Sequence, residues 1–384
     1  MKRYPDEETV YSQPSWVFGN SSIEISLTRK GGHMAPVTFF RKSGNPVRPY
    51  YINPWHHEAP PPSDPVLAVL RGDFFCMPFG GNSTPFNGEL HAAHGETATS
   101  DWELSGYEES GEDITARFLM ETNIRKGRII KTLRLREGHN GIYISHELHG
   151  FSGPMSLGHH ATLSPPGPPD DPGALLISTS PVSFCMTNPT EADYWENGEY
   201  YCLEPGKEFT DLSRVPTIWK NRPYADCSVF PLRRGFTDIL QIYRKPAAIP
   251  AWTVASAPSA GYLWFSLKNP AVLPSTLVWM ENGGRYSPPW NGRNCCIGLE
   301  EICGYFAFGL KESQADNTLN SRGIRTSHDL STEAPLIVRT IQGVARIDPR
   351  FGRVSDVRFG RDSMTFLSDT GSAVEVKVDI NFIG

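Results

Sequence analysis

Ionisable side chains set beside glycines and aromatics gather at four places in this 384-residue sequence. Arg71-Gly72-Asp73 leads through Pro78-Phe79 to His91, then His94-Gly95 and Trp102. Gly158-His159-His160 forms the second group and Tyr224-Ala225-Asp226 the third. The fourth runs from Trp279-Met280-Glu281 to Leu299-Glu300-Glu301. Imidazole and carboxylate are the groups whose proton affinities an enclosed site tunes most readily towards neutrality. One of each, placed on a single ligand, can take a proton from one atom and return it at another. Such proton transfer is worth about 10² to 10⁴-fold in rate.

The segments around these groups read as strands. Ile23 to Leu27 alternates apolar and polar residues and stops at Gly31-Gly32, and Ile114 to Met120 alternates more loosely. Ile130 to Arg136 alternates, enters Glu137-Gly138-His139-Asn140-Gly141, and resumes at Ile142 to Leu148, which predicts a hairpin. Val374, Val376, Val378, Ile380 and Phe382 alternate as a last strand. The 35 glycines and 33 prolines interrupt almost every candidate helix, each at a cost of about 1 to 3 kcal/mol inside one. Expected, then, is an all-β chain: two large antiparallel sheets stacked as a β-sandwich. No linker divides the chain, so residues 1–384 read as one domain. Ala59–Asp64 and the proline-rich Ser164–Gly173 read as surface loops.

The order of the four groups resembles the aldose 1-epimerase (galactose mutarotase-like) superfamily over roughly residues 20 to 310. That family has a proline–phenylalanine turn, here Pro78-Phe79, then a His-Gly pair and a tryptophan, here His94-Gly95 and Trp102. A second histidine follows at a strand end (Gly158-His159-His160), then an aspartate (Asp226) and a glutamate after leucine (Leu299-Glu300). The resemblance implies the large two-sheet supersandwich and a cofactor-free, metal-free isomerase interconverting sugar anomers. Carried over, Glu300 is the base at the anomeric hydroxyl and His160 the acid at the ring oxygen. His94, Arg71 and Asp226 are substrate-binding, and Trp279 offers an apolar face to the sugar. Successive strand residues face opposite sides, so one member of each doublet can enter a cleft. The motif selects His160 and Glu300, with His159 and Glu301 as the alternatives. Residues ~311–384 lie beyond the match and read as extra C-terminal strands.

Other readings stand beside this one. The same cleft can serve a non-catalytic carbohydrate-binding or accessory protein. His91, His94 and Glu96 can instead ligate a metal in a cupin-like sugar isomerase. Asp226 also suits an ordinary turn, Trp279 a core position and Arg71 a surface ion pair. The net charge of −6, without a basic stripe, argues against nucleic acid. No apolar run approaches a membrane span, and no leader-like stretch follows Met1-Lys2-Arg3-Tyr4. Seven cysteines in no regular spacing suggest reduced thiols. The expected setting is cytoplasmic and the expected partner a small sugar or sugar derivative.

Overall fold

The computed structural model describes residues 5–190, 198–245, 247 and 250–384; the first four residues, part of the stretch read for a leader, lie outside these. Two antiparallel sheets dominate. The nine-stranded sheet runs, in spatial order, Val229–Phe230, Leu175–Thr179, Ala251–Ala257, Tyr262–Lys268, Leu336–Arg346, Gly141–His149, Gly127–Arg136, Asp113–Thr122 and Glu103–Ser110. The eight-stranded sheet runs Glu208–Phe209, Phe184–Thr187, Phe236–Tyr243, Ser275–Asn282, Cys295–Cys303, Leu157–His159 and Phe75–Cys76. Its eighth strand, Thr162–Leu163, also pairs with Cys295–Cys303.

Side-chain alternation assigns the faces. Leu133, Leu135, Ile142 and Ile144 of one sheet share an apolar core with Val278, Met280, Ile297 and Leu299 of the other. The two sheets are therefore stacked face to face. The outward face of the eight-stranded sheet carries a second cluster: Ile239, Leu277, Trp279, Cys296 and Ile302, covered by Trp55, Phe74 and Trp290. That covered outer face is where the site lies. Four strands within Asp6–Phe39 form a further sheet that joins the main core.

The expected hairpin is present, with Arg134 opposite Tyr143 and Leu135 opposite Ile142. Its phase differs from a plain reading of the pattern. Ile129, Lys131, Leu133 and Leu135 point inward, so a lysine occupies a core position. Lys131 is fully buried, and Nζ donates to the Gly32 carbonyl at 2.6 Å.

The C-terminal part differs from the expectation of appended strands. Leu336–Arg346 lies inside the nine-stranded sheet, between Tyr262–Lys268 and Gly141–His149. The appended portion is the three-stranded meander Val354–Phe359, Ser363–Ser368 and Ala373–Lys377. It covers the outer face of the nine-stranded sheet through Met364 and Phe366 against Leu263, Phe265 and Ile341. The last strand ends at Lys377, and Ile380–Phe382 forms a 3₁₀ turn instead. Among the described residues no helix is long and apolar enough to cross a membrane.

Candidate functional site

The strand Cys295–Cys303 carries the acidic doublet, and its alternation separates the two glutamates. Glu300 falls on the outer face, opposite Leu277 of Ser275–Asn282. Glu301 falls on the inner face. Leu157–His159 runs alongside, squeezed between Phe75–Cys76 and Cys295–Cys303. A side chain on Gly158 would meet the Glu301 carbonyl at 2.6 Å, which accounts for glycine before the histidine doublet. His159 turns inward, where Nδ1 lies 2.9 Å from Asp73 Oδ2. His160, just past the strand end, donates its backbone N–H to the Phe74 carbonyl at 2.9 Å and faces outward.

His160 and Glu300 meet in a half-open pocket of about 90 Å³. Nε2 of His160 is 3.4 Å from Glu300 Oε1, and both side chains are nearly enclosed. Nδ1 of His160 lies 3.0 Å from Thr162 Oγ1. Glu300 Oε2 has no hydrogen-bond partner among the described residues. Burial drives the Glu300 carboxyl well above its usual range, with the Arg285 charge opposing. Burial also holds the His160 imidazole well below its ordinary value, and the nearby His94 adds to that. Each group thus leans towards its neutral form.

His94 forms the next wall. Its ring meets His160 edge to face at 4.9 Å and Phe79 at 5.3 Å. Phe74 is stacked between the rings of His160, at 4.5 Å, and His33, at 4.0 Å. His94 has φ 59°, a left-handed conformation uncommon for any residue with a Cβ, and its Nδ1 has no partner among the described residues. Gly95 has φ 76°, and a Cβ there would overlap the Met77 carbonyl, so the His-Gly pair is a backbone requirement. Trp102 anchors the same turn from beneath, Nε1 donating to the Thr97 carbonyl at 3.0 Å. Burial brings His94 down to about 4, and Arg285 contributes.

Trp279 lies on the floor, its ring 6.0 Å from that of His160 and its Nε1 donating to Thr237 Oγ1 at 3.1 Å. The short helix Pro65–Val69, capped by Asp64, closes one side with Val66 and Leu67. Arg285 closes another. Its guanidinium carbon lies 5.0 Å from the Trp279 ring centre and 4.9 Å from that of Trp290. Nε is 3.0 Å from Glu199 Oε1 and 3.9 Å from Glu281 Oε2.

Four of the expected site residues, Glu300, His160, His94 and Trp279, therefore line one pocket. Two do not. Arg71 is fully buried, and its guanidinium donates to the backbone carbonyls of Val69, Val10 and Tyr11 at 3.1–3.2 Å. It ties the N-terminal hairpin to the sheet and is not among the residues that line the pocket. Asp226 sits in a turn, accepting from the Ser228 backbone N–H at 3.0 Å, with Arg353 of the C-terminal meander at 3.8 Å. The alternatives to the chosen doublet members face the interior, where Glu301 pairs with Lys268 and accepts from Thr276 Oγ1 at 2.7 Å. The metal-binding set considered for His91, His94 and Glu96 is not assembled. His91 turns to Glu89 at 2.9 Å, and Glu96 accepts from the backbone N–H groups of Asn123 and Ile124.

The shape of the chain matches solved structures of low sequence identity. One is a galactose mutarotase related enzyme from Lactobacillus acidophilus, at 12% identity and TM-score 0.55, covering 87% of this chain and 98% of that one. Another is a galactose mutarotase-like protein from Clostridium acetobutylicum, at 10% identity and TM-score 0.57, covering 90% and 99%. A third is a candidate aldose 1-epimerase from Klebsiella pneumoniae, at 12% identity and TM-score 0.60, covering 88% and 80%. The fold is galactose mutarotase-like. No protein-family profile and no curated protein matches the sequence itself.

Within this galactose mutarotase-like fold, the sequence reading missed Arg285, Trp290 and the short helix. The available signal was Gly283-Gly284-Arg285. Gly283 has φ 72°, and a Cβ on Gly284 would collide with the backbone of Phe236 and Thr237. Two glycines that force a tight exit from a strand whose outer face carries Trp279 aim the next residue back over that face.

Proposed function

We propose that the pocket binds a small sugar or sugar derivative and interconverts its anomers. Supporting this is one observation above the others: a single imidazole and a single carboxyl face each other at 3.4 Å beside a tryptophan floor. Each group favours its neutral form, so one exchangeable proton can sit on either member and the pair titrates as a unit. With that proton on His160, Glu300 takes the proton of the anomeric hydroxyl and the oxygen lone pair becomes the carbonyl bond. The electron pair of the C1–ring oxygen bond passes to the ring oxygen, which takes the His160 proton. Rotation about the freed bond and reversal of the same transfers give the other anomer. His94 donates to or accepts from a sugar hydroxyl, and Trp279 receives the sugar's C–H face.

The test is exchange NMR on the purified protein with a panel of free and phosphorylated aldoses. Accelerated α/β interconversion that is lost in Glu300→Gln, while saturation transfer shows sugar still bound, supports the reading. Binding without acceleration in the wild type replaces it with a carbohydrate-binding role. Loss of turnover with a chelator replaces it with metal-dependent isomerisation.

A further inference from the structure

We propose that Arg285 is a third catalytic residue of the pocket, its Nη1 and Nη2 groups donating to the sugar oxygen that gains negative charge as the ring opens. This rests on the sugar-isomerase reading above. Arg285 is the only cationic side chain lining the pocket among the described residues. The cation expected from sequence, Arg71, is spent on backbone carbonyls elsewhere.

Its mounting leaves the working end free. The Nε edge faces Glu199, and the plane is confined by the Trp279 and Trp290 rings. Glu281 is fixed beneath, its Oε1 accepting from the Gly284 N–H at 2.8 Å and the Arg285 N–H at 3.3 Å. Among the described residues Nη1 and Nη2 have no protein hydrogen-bond partner, and about a fifth of the side chain is open to solvent. A guanidinium so oriented before the ligand arrives stabilises developing charge without reorganising at the moment of reaction.

The electrostatics give it a reason to be there. Burial opposes charge on His160, so positive charge beside the ring oxygen is disfavoured on that residue as the bond breaks. The electron pair that leaves the C1–ring oxygen bond then needs a fixed positive charge. Burial pulls the proton affinity of Arg285 down, but Glu199 and Glu281 outweigh it and raise it above the ordinary guanidinium value. The ionisable groups facing the His160–Glu300 pair are Arg285, His94, His33 and Cys76, with Glu281 and Glu199 behind the guanidinium. Arg285 lowers the proton affinity of His160, His94 and Glu300 alike, so its removal raises all three.

The experiment compares wild type, Arg285→Gln and Arg285→Lys by exchange NMR from pH 4 to 10, with saturation transfer reporting binding and thermal melting reporting folding. Expected for Arg285→Gln is a loss in kcat of about 10²-fold or more, with both limbs of the pH profile moved to higher pH. Arg285→Lys keeps the limbs near their wild-type positions and recovers only part of kcat, because a point charge replaces the fork. A folded Arg285→Gln with wild-type kcat and unmoved limbs overturns the proposal, as does a change in KM alone. A wild type that binds sugar without accelerating interconversion overturns the isomerase reading and this catalytic role with it. Arg285→Gln binding as tightly as wild type then removes the sugar contact as well, whereas weakened binding retains Arg285 as a ligand-binding residue.

Discussion

A methyl group on Gly298 would overlap the carboxylate of Glu300, two residues along the same strand and on the same outer face. The absent side chain is the space the carboxylate occupies. Gly298→Ala should leave the strand intact, since alanine costs less strand stability than glycine, but drive Glu300 away from His160. Expected is a fall in kcat of one to two orders of magnitude with little change in melting temperature. Wild-type kcat in a folded Gly298→Ala would show that the carboxylate position described here is not the working one.

Glu301, Lys268, Thr276 and Arg244 form a buried polar array behind the site. Burial alone would raise the Glu301 carboxyl, but the charges of Lys268 and Arg244 outweigh it and hold the group below the usual range. Lys268→Met strands that carboxylate and should cost about 3–5 kcal/mol in urea unfolding. Adding Glu301→Gln should recover much of the loss. If the double variant is as unstable as the sum of the singles, the two groups are not coupled.

Arg71 makes three hydrogen bonds to backbone carbonyls in the interior. Arg71→Met orphans those carbonyls and should destabilise the protein by about 2–4 kcal/mol. Its effect on KM for any sugar should be negligible at temperatures where the variant is folded. A KM rise of tenfold or more would return Arg71 to the binding residues.

Four buried imidazoles make the fold acid-sensitive. Burial lowers His33 to about 3 and His94 to about 4, and holds His146 and His160 well below the ordinary value of 6.5. Groups depressed on folding contribute stability that is full above pH 6.5 and is lost as pH falls through their folded values. The urea midpoint should therefore drop steadily from pH 6.5 towards 4. His146, stacked on Phe75 at 4.1 Å with both ring nitrogens unpartnered among the described residues, isolates the effect. His146→Phe should flatten that slope; an unchanged slope would exclude the group. Glu300 acts oppositely: its raised carboxyl contributes stability that is lost as pH climbs above the ordinary carboxylate range.

How much of this was legible in the sequence depends on range. Alternation and turn residues are local, so the hairpin through Gly138 could be read directly, and so could the fact that only one of His159 and His160 enters a cleft; the choice of His160 came from the motif. His160, Glu300 and Trp279 line one pocket because each sits on a strand or strand end whose facing follows from parity, whereas His94 reaches it from a turn. Arg71 and Asp226 lie elsewhere because residue type says nothing about direction: the guanidinium bonds the nearby Val69 carbonyl and those of the sequence-distant Val10 and Tyr11, and the carboxylate serves its own turn. Arg285 was invisible because its place depends on a glycine-forced turn and on Glu199, which is distant in sequence. The inward place of Lys131 could not be read because the Gly32 carbonyl that receives it lies in a turn about a hundred residues earlier.

The position of Leu336–Arg346 bears on the order in which the chain can mature. As the chain emerges during synthesis, Gly141–His149 and Tyr262–Lys268 each present an open edge that nothing yet made can fill. The nine-stranded sheet stays in two halves until the late strand arrives to join them. That strand also brings Thr340 to within 3.5 Å of Nε2 of His159, the neighbour of His160. Every side chain assigned to the pocket is synthesised earlier, yet a nascent chain that stops short of this strand holds all of them on a scaffold whose larger sheet is not yet joined.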